Sequence, residues 1–366
     1  MKKAHFLLIA VSAIGCTPAP HTNGTAPIRP LPPIHVVATP DSQNGMALDA
    51  FDAAELFSRA AANQREGNCD EAVVWYRKLQ TEFPDAEELE PGYYNMGLCL
   101  NQLERHNEAA AAYRSLITAF PNSPDKQNAY FRLASSLEEL EAWNEMVSTF
   151  NELQEQSEPL TALDEVEIYA KTGAALMRMS QPAQARIALE NAVRIFTRDE
   201  RISATAPDYY YSMAQFKLAE LTHEEMRQVA LPPDDTELAA ILEKKCRLLL
   251  DSQYLYTKVI RIGHPHWSAA AAYRTGALYH HLWKDMLAAP APAGLTEEEQ
   301  GIYMEVLRKR IKVLLQKAVK QWKRTIAFAK RLELDNAWVL QTETDLREIE
   351  AVLEIEETIG ADLPIN

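Results

Sequence analysis

Four histidines, His264, His266, His280 and His281, form the densest group of possible ligands or proton carriers in the chain. A His-x-His pair can hold a metal through its imidazoles, with a third ligand from a nearby helix. Here no Asp or Glu enters the stretch until Asp285, and Pro265 fixes a turn between the first two histidines. No metal is assigned on these residues, and no cofactor. Other chemistry leaves no mark either: there is no Gly-rich phosphate loop, no nucleophile elbow and no His-Glu-x-x-His. Only 12 of 366 residues are Gly, too few for nucleotide cradles. Cys246, among Leu248, Leu249 and Leu250, reads as a small buried hydrophobe. No catalytic residue is assigned, and the chain reads as a non-enzyme.

The elements that would position such residues are helices. Hydrophobic residues make up 47% of the chain, enough for a packed core. Low Gly with abundant Ala, Leu, Glu, Arg and Gln favours the helix. The formal charge of −15 repels phosphate backbones, so nucleic acid is excluded as a general partner. No small-molecule substrate is indicated.

The first fifteen residues read as a targeting segment. Met1-Lys2-Lys3 is a short positive region, and Phe6 to Val11 is an apolar run too short to span a bilayer. Ala13-Ile14-Gly15-Cys16 follows. This resembles the lipobox of bacterial lipoproteins, with Ala13 where Leu is commonest. The resemblance implies cleavage before Cys16, lipidation of its thiol and acylation of its amine. Thr17, where an Asp would retain the protein at the inner membrane, implies outer-membrane anchoring on the periplasmic face. An ordinary secretory signal, cut at Ala13 or Gly15, is the alternative. Residues 16–50 then read as a disordered linker, carrying Pro18, Pro20, Pro27, Pro30, Pro32, Pro33 and Pro40. At ~3.1 Å per residue a polyproline-like spacer of this kind reaches several tens of Å.

From Phe51 a register of 37 residues repeats. Ala72, Ala109 and Met146 share it, as do Tyr76, Tyr113 and Phe150, and Leu79, Leu116 and Leu153. Phe83-Pro84 and Phe120-Pro121 close the first two blocks. A further helix precedes each block, at Glu55 to Asn63, Tyr93 to Leu103 and Tyr130 to Leu140. This pattern is similar to the tetratricopeptide repeat family, two antiparallel helices per unit. Tyr93, Met96, Gly97 and Leu100 fill its first-helix slots, and Ala109, Tyr113, Leu116 and Pro121 its second-helix slots. Phe-Pro endings are common in envelope members. The expected fold is all-α, a solenoid of helical hairpins, because one hairpin cannot bury its own apolar faces. Residues 51–200 read as repeats one to four. Residues 201–285 read as degenerate repeats with an inserted Pro-Pro-Asp-Asp loop at 232–235 and a partner helix from Ile241 to Ile262. Residues 286–366 read as a loop and C-terminal helices, the first capped by Thr296 and ending near Leu332, the second over Asn336 to Glu357.

The resemblance implies binding through a concave face. Slot by slot it gives Phe57, Gln64 and Arg65 in unit one, and Tyr94, Leu98, Asn101 and Gln102 in unit two. Unit three adds Asn128, Phe131, Glu138 and Glu139. Such a groove suits an extended peptide or a helix of an envelope protein, although Tyr94 and Phe131 equally suit closing the core. The architecture also brings Cys69 near Cys99, either as a disulfide in an oxidising compartment or as two buried thiols. Residues 302–332 hold ten Lys and Arg against Glu305, a docking surface or a face balanced by the acidic last helix. Analogy points to the barrel-assembly lipoprotein and the Tol–Pal coordinator, with envelope proteins of deltaproteobacteria behind them. The expected role is a lipid-anchored scaffold, the alternative a structural part of a trans-envelope motility or secretion machine. An enzyme acting on glycan would need a cleft with paired carboxylates of raised pKa.

Overall fold

The computed structural model describes residues 34–40, 46–156, 159–203, 208–232, 235–292 and 294–361. The targeting segment, Cys16 and most of the Pro-rich stretch lie outside the described residues.

Four helical hairpins stack in sequence. They are α1 (Ala53–Arg65) with α2 (Cys69–Glu82), α3 (Leu89–Gln102) with α4 (His106–Ala119), α5 (Lys126–Glu139) with α6 (Trp143–Gln154), and α7 (Ala162–Arg178) with α8 (Pro182–Arg198). A short turn, α9 (Glu200–Ser203), leads to α10 (Tyr209–Gln228), which packs on both α7 and α8. The long helices α11 (Asp235–Ile262), α12 (Pro265–Ala288), α13 (Glu297–Arg331) and α14 (Ala337–Ala361) continue the stack, each on its predecessor. The architecture is the expected all-α solenoid. Among the described residues no helix is long and apolar enough to cross a membrane.

The 37-residue register is a packing register. Ala72, Ala109 and Met146, then Tyr76, Tyr113 and Phe150, then Leu79, Leu116 and Leu153 are all buried. They belong largely to one continuous core that runs through the first units. Small residues stand where helices approach most closely: Gly97 faces the Tyr113 ring, Gly173 faces Leu189, and Gly276 faces the Trp322 indole. That indole donates to the Tyr273 carbonyl at 2.9 Å, joining α12 to α13. The ends are made locally. Asp52 accepts from the Glu55 amide at the start of α1, and Thr161–Asp164 and Thr296–Glu299 form capping boxes on α7 and α13. Phe83 and Phe120 are the last caps of α2 and α4, and the prolines after them cannot continue the helix.

Two expectations are corrected. Part of the 16–50 linker is ordered: β1 (His35–Pro40) pairs antiparallel with β2 (Met46–Phe51), from His35 opposite Phe51 to Pro40 opposite Met46. β-Branched Val36, Val37 and Thr39 suit a strand, and Phe51 anchors the ribbon by packing edge-on to Phe83 at 6.3 Å between ring centres. His35 also packs on Phe83, at 4.7 Å between ring centres, so the base of the ribbon rests on the end of α2. The partner helix is also longer than expected, since α11 starts at Asp235 rather than at Ile241. Buried Lys245 explains part of that order. Its ammonium donates to the Met226 and Val229 carbonyls at 2.8 Å each, tying α11 to the end of α10.

Candidate functional site

The groove residues named from the sequence separate into two sets. Phe57, Tyr94 and Phe131 form a ladder, one rung per unit, each half-buried against a second-helix ring. The centroid distances are 6.1 Å to Tyr76, 6.0 Å to Tyr113 and 6.0 Å to Phe150. One edge of each ring closes the core and the rest stays open. Two of the polar members bond within the fold. Gln64 accepts from the Tyr76 hydroxyl at 2.8 Å, and Asn101 accepts from Ser136 at 3.0 Å across the unit boundary. Arg65 donates to the Ala61 carbonyl at 3.3 Å. Leu98 is half-buried, while Gln102, Asn128 and Glu139 are exposed.

Cys69 and Cys99 are free, buried thiols, one of the two arrangements the architecture allowed. The Cys69 thiol donates to Gln102 Oε1 at 3.3 Å. Burial, then the neighbouring Cys69, push the Cys99 thiol up to about 12, so it stays protonated and a poor nucleophile. The histidines also have local roles. His281 bonds His223 at 3.0 Å, and His266 accepts from the Trp338 indole at 3.4 Å.

Of the eleven groove residues, Glu138 opens onto the main cleft. This cleft has a volume of about 770 Å³ and lies on the inner side of units three to six. The first helices α7, α10 and α12 build it, with the end of α5, the start of α6 and Trp338 of α14. Aromatic walls come from Trp143, Tyr209, Tyr210, Trp267 and Trp338. Lys171, Arg178, Lys217 and Arg274 set four cations against the carboxylates of Glu138 and Glu220.

The charges are arranged by burial. Lys171, 8% exposed, lies 3.2 Å from Glu138 and 3.6 Å from Glu167. Glu220 takes Lys217 at 2.7 Å and Arg274 at 2.6 Å. Burial pushes the Glu220 carboxyl up, but Lys217 and Arg274 outweigh it and hold the group below its ordinary range. Glu220 is therefore a fixed anion, the opposite of a raised-pKa general acid. Arg178 stacks over Trp143 at 5.9 Å, and Arg274 over Trp338 at 5.5 Å. Burial, then Glu138, raises the Tyr209 hydroxyl, which stays a neutral donor. Trp267 is 5% exposed, and its indole N–H is buried without a hydrogen-bond partner.

Sequence analysis did not connect Trp267 or Trp338 with the cations. A signal existed: Arg132, Lys171 and Arg274 each stand two residues before a small first-helix residue, Ala134, Gly173 or Gly276. Lys171 and Arg274 from that step both line the cleft, and Arg132 does not.

Residues 92–123 match the family model described as Tetratricopeptide repeat. This is the unit formed by α3 and α4, whose first- and second-helix slots hold Gly97 and Tyr113 in contact. No curated protein matches the chain. Solved structures similar to it include the C-terminal part of a tetratricopeptide repeat-containing protein from Cytophaga hutchinsonii. That pair is 9% identical with a TM-score of 0.45, covering 83% of this chain and 98% of the other. PilF of Pseudomonas aeruginosa is 12% identical with a TM-score of 0.42, covering 80% and 97%. YrrB, described as a tetratricopeptide protein with an unusual peptide-binding site, is 14% identical with a TM-score of 0.37, covering 74% and 97%.

Proposed function

We propose that this chain is a tetratricopeptide scaffold of a bacterial envelope, anchored by lipid at Cys16 on the periplasmic face of the outer membrane. Its inner cleft grips an extended segment of an envelope protein. The observation that carries the binding role is the cleft itself, with five aromatic side chains interleaved with four cations and two carboxylates. Aromatic walls supply contact area at low entropic cost, and fixed ion pairs present charge without reorganisation. The surplus of bases, in a chain of net charge −15, favours a partner segment carrying acidic side chains. The lipobox-like Ala13-Ile14-Gly15-Cys16 supports the anchor and the address.

A second reading, a structural part of a motility or secretion machine, is favoured by apolar side chains outside the cleft. Leu250 and Tyr254, one turn apart on α11, are 61% and 67% exposed. One experiment separates the two. The full chain is cross-linked in the periplasm and captured beside a Trp143→Ala, Arg178→Glu, Tyr209→Ala variant of unchanged circular dichroism. Capture of a barrel-assembly or Tol–Pal component that the variant loses supports the scaffold. Undiminished capture, or motility and secretion prey, transfers the function to the outer surface. In parallel, Cys16→Ser should abolish palmitate labelling and release the chain from membranes; a labelled, membrane-bound Cys16→Ser chain would overturn the anchor.

A further inference from the structure

The basic helix of the sequence has a clear geometry. Over residues 302–332 the chain carries ten Lys and Arg against one Glu, inside a protein of net charge −15. One way to neutralise that charge was the acidic last helix, α14. Lys323 reaches Glu350 at 2.7 Å, but Asp345 is occupied by the Tyr273 hydroxyl at 2.7 Å and the Gln341 amide at 2.6 Å. α13 buries Ile311, Leu315, Ala318, Val319 and Trp322 against α12 and α14, and its opposite side is open.

That open side is a single stripe. Ile302, Val306, Val313, Lys320, Arg324 and Arg331 are all exposed and follow one another at steps of four and seven residues, which keeps them on one face. Lys309, Arg310 and Lys317 flank it and are also exposed. The three apolar members are large and well exposed, at 57%, 45% and 47%. The order along the helix is uneven, with apolar side chains toward the N-terminal half and bases toward the C-terminal half. From Ile302 to Arg331 the stripe runs about 44 Å at ~1.5 Å per residue.

We propose that the exposed face of α13 docks on an anionic phospholipid bilayer. A stripe along one exposed helix face complements a plane rather than a pocket. Bases reach lipid phosphates while Ile302, Val306 and Val313 enter the headgroup boundary, the division of labour of interfacial helices. The cleft, on the inner side of units three to six, is left free. The inference does not rest on the lipid anchor or on the cleft's partner, and it would orient the body against a membrane in either case.

The test is vesicle co-sedimentation of the full chain carrying Cys16→Ser, so that no acyl chain contributes. Vesicles of phosphatidylglycerol and phosphatidylcholine are compared with phosphatidylcholine alone. The expected result is binding to the anionic vesicles that falls at least tenfold in 0.5 M salt. It should also fall at least tenfold in a Lys317→Glu, Lys320→Glu, Arg324→Glu variant, exposed positions whose reversal leaves the fold intact. A separate Ile302→Ser, Val306→Ser, Val313→Ser variant should weaken binding severalfold without changing the salt slope. Equal binding by the charge-reversed variant with an unchanged melting curve overturns the proposal, as does equal binding to neutral vesicles. Sedimentation of the protein without lipid covers the remaining occupant. A concentration-dependent dimer lost in the charge-reversed variant, with vesicle binding unaffected, would assign the stripe to a second copy of this chain instead.

Discussion

At Gly97 an added β-carbon would lie 2.5 Å from Cζ and 2.6 Å from Cε1 of Tyr113, a ring 0% exposed and closed in on all sides. Gly97→Ala therefore forces α3 and α4 apart, an overpacking cost of about 1–3 kcal/mol. Denaturant melts of the variant measure it, and an unchanged midpoint would mean that the Tyr113 ring can yield. His223 gives a second prediction at this scale. It is 4% exposed, with Nδ1 3.2 Å from the Tyr256 hydroxyl and Nε2 3.0 Å from His281. Burial first, then the neighbouring His281 and Arg274, push its imidazole down to about 2. His281 is driven to about 3, by burial and then Arg227. In the unfolded chain these groups protonate near their ordinary value of 6.5, while the folded chain keeps them neutral. The unfolded state thus binds more protons below that pH. Stability is complete above about pH 7 and falls as pH drops from 6.5 toward 4, with His223 alone contributing about 1.4 kcal/mol per pH unit. Melting temperatures from pH 7.5 to 4.5 should show this slope, and His223→Gln should flatten it; parallel curves would remove His223 as the cause.

Each hairpin turns through one residue of positive φ: Gly67 at 83°, Glu104 at 58°, Glu141 at 53° and Ser180 at 58°. The first three keep the 37-residue spacing. Unit one has the glycine that the left-handed conformation favours, and units two and three hold a glutamate there at a cost of about 1–2 kcal/mol. Glu104→Gly should stabilise its unit by about 1 kcal/mol, net of the freedom glycine gives the unfolded chain. Glu141→Gly should do the same, and equilibrium denaturation of the two single variants checks both; destabilisation would mean the glutamate side chains contribute contacts of their own. This turn was legible in the sequence only at Gly67, because a glutamate carries no signal for positive φ. The hairpins themselves were legible because Tyr76, Tyr113 and Phe150 fill the same hole in successive units. The ribbon was not, since two six-residue strands among prolines offer too short a run for alternation to stand out. The first turns of α11 were hidden for the converse reason: Pro232-Pro233-Asp234-Asp235 has the residues of a loop, and a helix start uses the same ones. The cleft was least legible. Trp143, Lys171, Tyr209, Arg274 and Trp338 come from five helices, and no periodicity on any one of them reports that they meet.

The units share their cores with neighbours, and this governs how the whole molecule responds to damage. One core runs from Ala60 to Ala175, a second joins α7 and α8 to α10, a third joins α10 to α12, and a fourth joins α12 to α13 and α14. Outside, second helices are linked by ion pairs in the same register, Arg77 with Glu108 and Arg114 with Glu145. These pairs are half-exposed, so each is worth at most about 1 kcal/mol and the stacking is carried by the apolar contacts. A chain so built behaves as a line of nearest-neighbour interfaces. Leu116→Ala empties a fully buried position in unit two, a loss of about 2–5 kcal/mol. Hydrogen exchange should then accelerate in α2 to α5, while the amides of α12 and α13 around Trp322 keep their protection. Because α10 belongs to two cores, it is the element where the effect should fade. Uniform acceleration through α13 would instead mean that the solenoid opens as one cooperative body. In that case the cleft, built from helices on both sides of α10, would lose its shape whenever any single unit did. Local fading leaves the late units able to hold Trp267, Arg274 and Trp338 in place while the first hairpins move.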